Sequence, residues 1–230
     1  MAVSTPNIIN GKGIKRVYGK GSGAVTVLKE VDIQLPAGKL LAFKGRSGSG
    51  KTTLINLLSA LDQPTSGTII FDGRDLTTMS NKQRDAVRRK EMGLIFQSFA
   101  LIPLMSAYEN VEFVLRIAGV PASERKAAAI QALDHVGLKP RMHHRPFEMS
   151  GGEQQRTAIA RAIAHKPKLI LADEPTAELD SRTGLHIMKV FRDLVEQSGV
   201  TVVLTTHDPA IMEIVDQVYE LEDGQIVSHN

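Results

Sequence analysis

At 230 residues with 42% hydrophobic side chains, the chain can form one large domain, or one domain with an inserted subdomain, around a real core. A formal net charge of +3 allows an anionic ligand or a membrane surface without demanding nucleic acid, and the absence of cysteine excludes disulfides and thiolate metal sites. No stretch approaches the ~18 consecutive apolar residues of a membrane span, and Met1-Ala-Val-Ser-Thr-Pro6 lacks a basic-then-apolar leader pattern, so any work at a membrane is expected to need a second chain that crosses it.

Residues 7–44 read as three short strands, Ile8–Val17, Thr26–Leu35 and Leu40–Lys44, separated by Gly19–Gly23 and Pro36-Ala-Gly38. Gly and Pro turns between short strands predict a small antiparallel sheet beside a buried strand. Tyr18, before the glycine loop, is open to two readings: a strand-end aromatic, or an exposed ring that stacks on a purine.

The stretch Lys39–Leu61 organises the chain. An apolar run ending at Lys44 leads into Gly45-Arg46-Ser47-Gly48-Ser49-Gly50-Lys51-Thr52-Thr53, which fits G-x-x-x-x-G-K-[ST]; apolar residues at helical spacing follow from Leu54 to Leu61. Strand, glycine loop and helix in that order predict a phosphate cradle of backbone amides and a helix N-terminus. Lys51 is expected to reach the β and γ phosphates, and the Thr52 hydroxyl to ligate Mg²⁺.

Gly67–Gly73 reads as a strand and turn, and residues 81–91 as a basic helix whose Arg84, Arg88 and Arg89 either face solvent or read phosphate. Gly93–Gln97 is a buried strand ending in an amide. Helical character follows to about His165, with Ser106–Ala118 and Ser123–Val136 as helices and Ser123 as an N-cap. Between them and the strand, Phe99–Met105 is apolar without helix periodicity, either core or a docking surface.

Ser150-Gly151-Gly152-Glu153 fits a capping box on a helix running to about Ala164, and its exposed amides are also suited to an anion. The strand Leu169–Asp173 ends in a carboxylate expected to hold Mg²⁺ through water; Glu174 is expected to point the other way along the strand, towards an attacking water. Asp180 or Ser181 caps the next helix, roughly 181–197, and the strand Thr201–Thr206 delivers His207 to the phosphate side. Two short strands, Gln217–Leu221 and Gln225–Val227, close the reading.

Taken together these motifs resemble an ATP-binding-cassette ATPase subunit over essentially the whole length. The resemblance implies an α/β P-loop fold: a RecA-like core with an antiparallel β-subdomain (residues 1–97 and 166–230) and an inserted helical subdomain (residues 98–165). It implies ATP and Mg²⁺ as cofactors, with Tyr18, Gly45–Thr53, Ser150–Glu153 and Asp180 on the nucleotide, Thr52, Gln97 and Asp173 on the metal, and Glu174, His207 and Lys51 as the catalytic set. It further implies an ATP-sandwich homodimer, in which the loop of one copy and the Ser150 helix of the other hold each ATP. The Gly93–Pro103, Met149–Arg156 and Ala172–Thr176 stretches are most similar to the branch serving lipoprotein release, macrolide efflux and cell-division permeases. A separate permease would then dock at Gln97–Met105, on the cytoplasmic face of a bacterial membrane. Two positions depart from the pattern: Glu178 adds charge before Leu179-Asp180, and Met149 replaces a leucine. A soluble cassette acting on nucleic acid or the ribosome would show a long coiled-coil insertion or a second cassette, and an importer subunit a regulatory extension after His207; none is legible, so no nucleic-acid partner is expected.

Overall fold

The computed structural model describes residues 6–229; Met1–Thr5, read above for a leader, and Asn230 lie outside them. The described residues form two sheets. Strands β1 (Asn7–Tyr18), β2 (Val25–Pro36), β4 (Ser66–Phe71) and β5 (Arg74–Asp75) form an antiparallel sheet in the order β2-β1-β4-β5. Strands β3 (Leu40–Lys44), β6 (Met92–Ile95), β7 (Leu169–Ala172), β8 (Thr201–Thr206), β9 (Gln217–Glu222) and β10 (Gln225–His229) form the other, in the order β10-β9-β3-β8-β7-β6. Its pairs are parallel except for the β9–β10 hairpin.

Both faces of the second sheet are covered, which is why its central strands read as unbroken apolar runs. Alternation divides their side chains between two cores. Leu40, Ala42, Ile170, Ala172, Val202 and Leu204 pack towards the helices α3 (Ala107–Ala118), α4 (Ala122–His135), α5 (Gly151–Ile163) and α6 (Ser181–Ser198). Leu41, Phe43, Leu171 and Val203 face the antiparallel sheet and the helix α1 (Lys51–Leu58). Phe43 is fully buried and meets Tyr219 edge to face with centroids 5.9 Å apart; truncating such a core aromatic to alanine costs about 3–5 kcal/mol.

Ser106 and Ser150 each make a complete capping box, with Glu109 and Glu153, and Ser80 makes a third with Gln83 at the start of α2 (Asn81–Glu91). Ser123 is not a cap. Helix α4 starts at Ala122 behind Pro121, whose ring presets φ for helix entry, so Ser123 lies inside the first turn. Neither reading of the α2 arginines holds for Arg84, which is buried and bonds Asn81; Arg88 bonds the Ala60 carbonyl and Asp85. A short helix, α7 (Pro209–Met212), follows β8. Residues 98–165 contribute no strand to either sheet.

Candidate functional site

Strand β3 ends one residue before Gly45, where the chain passes so close to β9 that a Cβ would collide with the Leu221 carbonyl. At the far end of the loop, Gly50 caps α1 with φ 104° and no side-chain cap bond, and a Cβ there would sit 2.8 Å from Leu28. The first amides of α1 are thus left to an external partner. Lys51 is 7% exposed and folds back into the loop, donating through Nζ to the carbonyls of Gly45 (2.8 Å) and Arg46 (3.1 Å). The buried Ser49 hydroxyl has no hydrogen-bond partner among the described residues. Such a loop, with a lysine poised inside it, is chemically suited to a polyphosphate.

Opposite the loop stand the ends of β7 and β8. Thr52 Oγ1 donates to Asp173 Oδ2 at 2.8 Å, and Thr205 Oγ1 donates to Asp173 Oδ1 at 2.7 Å. The Thr205 oxygen also accepts the Glu174 N–H at 2.7 Å. Thr205 is fully buried, and sequence reasoning missed it: a threonine within β8 carries no signal until the sheet order puts β8 between β3 and β7. Glu174 lies beyond β7, which ends at Ala172, and is left-handed (φ 44°), so strand alternation does not set the direction of its side chain as expected above. His207 Nδ1 lies 3.9 Å from Glu174 Oε1, and its side chain is 72% exposed.

Gln97 lies in the loop after β6 and lines a cleft of about 670 Å³ together with Asp173, Phe99, Gly151 and Glu178. A second cleft, of about 500 Å³, is lined by Ser150, Gly151, Gly152, Glu153, Glu178 and Asp180. None of Gly45–Thr53 lines either. Ser150 caps α5: its oxygen accepts the Glu153 N–H (3.3 Å), and its own N–H donates to the Glu153 carboxylate (2.8 Å). That N–H, aided by Arg141 and opposed by burial, holds the Glu153 carboxyl below the usual carboxylate range. Asp180 caps α6, and the Thr183 hydroxyl and N–H hold its carboxyl low in the same way.

Tyr18 closes β1 and is 39% exposed. Its hydroxyl donates to Asp62 at 2.9 Å, while Arg16, paired with Asp62 at 2.8 Å, lies 4.3 Å from the ring centroid. Of Phe99–Met105, only Ala100 and Ile102 line the apolar groove on this side of the molecule; Leu94, Phe96, Phe113 and Ile117 supply much of the rest, beside Arg88, Arg89 and Arg161. Leu104 is 80% exposed and outside that groove. The 102–105 turn hangs on buried Asn110, a second residue missed from sequence, whose amide bonds the backbone of Ile102, Met105 and Ser106.

Among the described residues no three His, Cys, Asp or Glu side chains gather as a metal site, and no helix is long and apolar enough to cross a membrane. A glycine loop before a helix, facing two strand-end acids on a parallel sheet, defines a nucleoside-triphosphate-binding α/β protein. The chain belongs to the ABC transporter family, whose model matches residues 28–177. It is 42% identical to the lipoprotein-releasing system ATP-binding protein LolD 2 of Rhodopirellula baltica, over 96% of this chain and 89% of that protein. It is 44% identical to the macrolide export ATP-binding/permease protein MacB of Wolinella succinogenes, over 95% of this chain but only 34% of that longer protein. Its fold superposes with TM-score 0.90 and 36% identity on the ATP-binding cassette MJ0796, solved as a dimer in a post-hydrolysis state with ADP and Pi, over 96% of this chain and 97% of that one. The chain is an ATP-binding, ATP-hydrolysing cassette, the motor subunit of a transporter.

Proposed function

We propose that two copies of this chain close on ATP and drive a separate membrane permease, in export or in mechanical release at the cytoplasmic face of a bacterial membrane. One observation supports the dimer: the cassette MJ0796, 36% identical over 96% of this chain, was solved as a dimer, and within one chain no residue of Gly45–Thr53 lines the cleft at the Ser150–Glu153 helix start, as expected if a site takes one from each copy. The core (residues 1–97 and 166–230) supplies the loop, and the helical part (residues 98–165) supplies the Ser150 helix.

In this reading Tyr18 stacks on adenine, Lys51 and the amides of Gly45–Thr53 hold the phosphates, and Ser150–Glu153 and Asp180 meet the nucleotide from the partner copy. Thr52 and Asp173 are an oxygen-only pair at 2.8 Å, which suits Mg²⁺, an ion that keeps most of its waters and takes one or two protein oxygens plus phosphate. Bound there with Gln97 nearby, Mg²⁺ would neutralise phosphate charge. Glu174 then positions and deprotonates water, and His207 holds Glu174 in register. The apolar groove beside Phe96 and Ile102 receives the permease, and substrate choice lies with that chain. The export or release reading rests on the likeness to LolD and MacB.

Complementation tests the shared site. Lys51→Ala and Ser150→Arg chains should each be inactive alone. A mixture should regain hydrolysis, because each mixed dimer keeps one site with an intact loop and an intact helix. A mixture as inactive as its components would overturn the shared site.

A further inference from the structure

The loop after β6 turns through two consecutive left-handed residues, Phe99 (φ 60°) and Ala100 (φ 47°). Neither is glycine, and a Cβ is disfavoured there, so such a turn persists only where its surroundings over-determine it. Local bonds close it: Phe99 N–H donates to Phe96 O at 3.1 Å and Ala100 N–H to Ser98 O at 2.6 Å. The external restraint comes from Arg161, in the last turn of α5. Its Nη2 donates to Phe99 O at 2.9 Å and its Nη1 to Ala100 O, so one guanidinium fork grips both carbonyls of the strained pair. Arg161 is largely buried, and among the described residues it forms no ion pair. Its hydrogen bonds among the described residues both go to this turn.

The turn is a wall between two spaces. Gln97 and Phe99 face the Asp173 cleft, while Ala100 and Arg161 face the apolar groove. We infer that Arg161 is a positioning residue: by clamping Phe99 and Ala100 it fixes the direction in which Gln97 enters the Asp173 cleft, and it presents that clamp to whatever occupies the groove. The inference rests on the reading of Gln97 as a contact of the metal and the attacking water.

Arg161→Lys keeps the charge but replaces the rigid planar fork with a flexible point charge, so the two carbonyls are no longer held at a fixed spacing. A positioning group displaced by about 1 Å can cost on the order of 100-fold, so kcat should fall roughly ten- to a hundredfold while the ATP Kd holds. Adding Ala100→Gly should restore most of the lost rate, since glycine takes a left-handed φ without the clamp. Gln97→Ala is the reference, and Arg161→Lys should cost nothing further on that background. If Gln97→Ala keeps the parent kcat, the Gln97 reading fails and this inference with it. If Gln97→Ala slows turnover but Arg161→Lys does not, the clamp alone is overturned. It is also overturned if Arg161→Lys lowers kcat and Tm together and Ala100→Gly rescues neither.

Discussion

Thr52 Oγ1 donates to Asp173 Oδ2 at 2.8 Å, although 121 positions separate the two residues and β8 lies between β3, which leads into the helix of Thr52, and β7, which leads to Asp173. Thr205, on the intervening strand, holds the other Asp173 oxygen and the Glu174 N–H, so one buried hydroxyl ties the Asp173 carboxylate to the Glu174 backbone. Thr205→Val keeps the volume and removes both bonds, leaving buried polar groups unsatisfied at about 1–3 kcal/mol of stability. Losing an outer-shell partner of a metal site typically costs 10–100-fold in metal affinity or activity. The variant should therefore need more Mg²⁺ for half-maximal turnover and reach a lower kcat, with ATP affinity unchanged. Steady-state ATPase assays across a Mg²⁺ titration check this, and a parent-like curve would remove Thr205 from the site.

Tyr18 is held from two sides before any base arrives, by Asp62 at its hydroxyl and by Arg16 over its ring. Base–aromatic stacking is worth ~1–3 kcal/mol per base, so Tyr18→Ala should raise the ATP Kd about tenfold, and Tyr18→Phe much less. Titration calorimetry distinguishes the two. An alanine variant that binds like the parent would make Tyr18 a strand-end aromatic only.

The permease contact is expected in the groove and not at the tip of the preceding loop. Ile117 is 41% exposed and lines that groove, so Ile117→Glu should fold, bind ATP and fail to co-purify with the permease. Leu104→Glu should keep the complex. Loss of the complex through Leu104→Glu alone would move the contact to the loop.

Much of this was legible because the chemistry is local. The glycine loop, the capping box at Ser150 and the acids after β7 are contiguous strings whose residue types serve a single turn or helix start. Strands β3, β7 and β8 were visible because parallel strands covered on both faces become continuous apolar runs. What stayed hidden depends on sheet order or on packing between distant elements. Thr205 matters only because β8 separates β3 from β7, and the groove is assembled from α2, β6, α3 and α5. Strand periodicity does not reach Glu174, because β7 ends at Ala172 and Glu174 itself is left-handed. Pro121 displaced Ser123 as the start of α4 by fixing the entry angle two residues earlier.

His165 gives a pH dependence with a definite sign. Burial, only partly offset by a hydrogen bond to Met92 O at 3.0 Å, pushes its imidazole below the ordinary 6.5. The unfolded chain therefore binds a proton that the folded chain resists, and stability falls as pH drops below about 6.5 until the folded imidazole also protonates. His165→Gln keeps a donor for Met92 and should flatten that part of the slope. Urea unfolding of both proteins between pH 7.5 and 5.5 checks it; parallel slopes would assign the dependence to other groups.

The sandwich and the role of Glu174 meet in a single measurement: size-exclusion chromatography of three variants with MgATP. Removing a general base typically costs ~10²–10⁴ in rate, and Glu174→Gln also removes a negative charge near the γ-phosphates, so this variant should bind ATP, stall and elute as a stable dimer. Lys51→Ala, without its phosphate clamp, and Ser150→Arg, with the γ-phosphate space filled, should elute as monomers under the same conditions. A monomeric Glu174→Gln that turns over ATP at the parent rate would contradict both the catalytic assignment and the shared site.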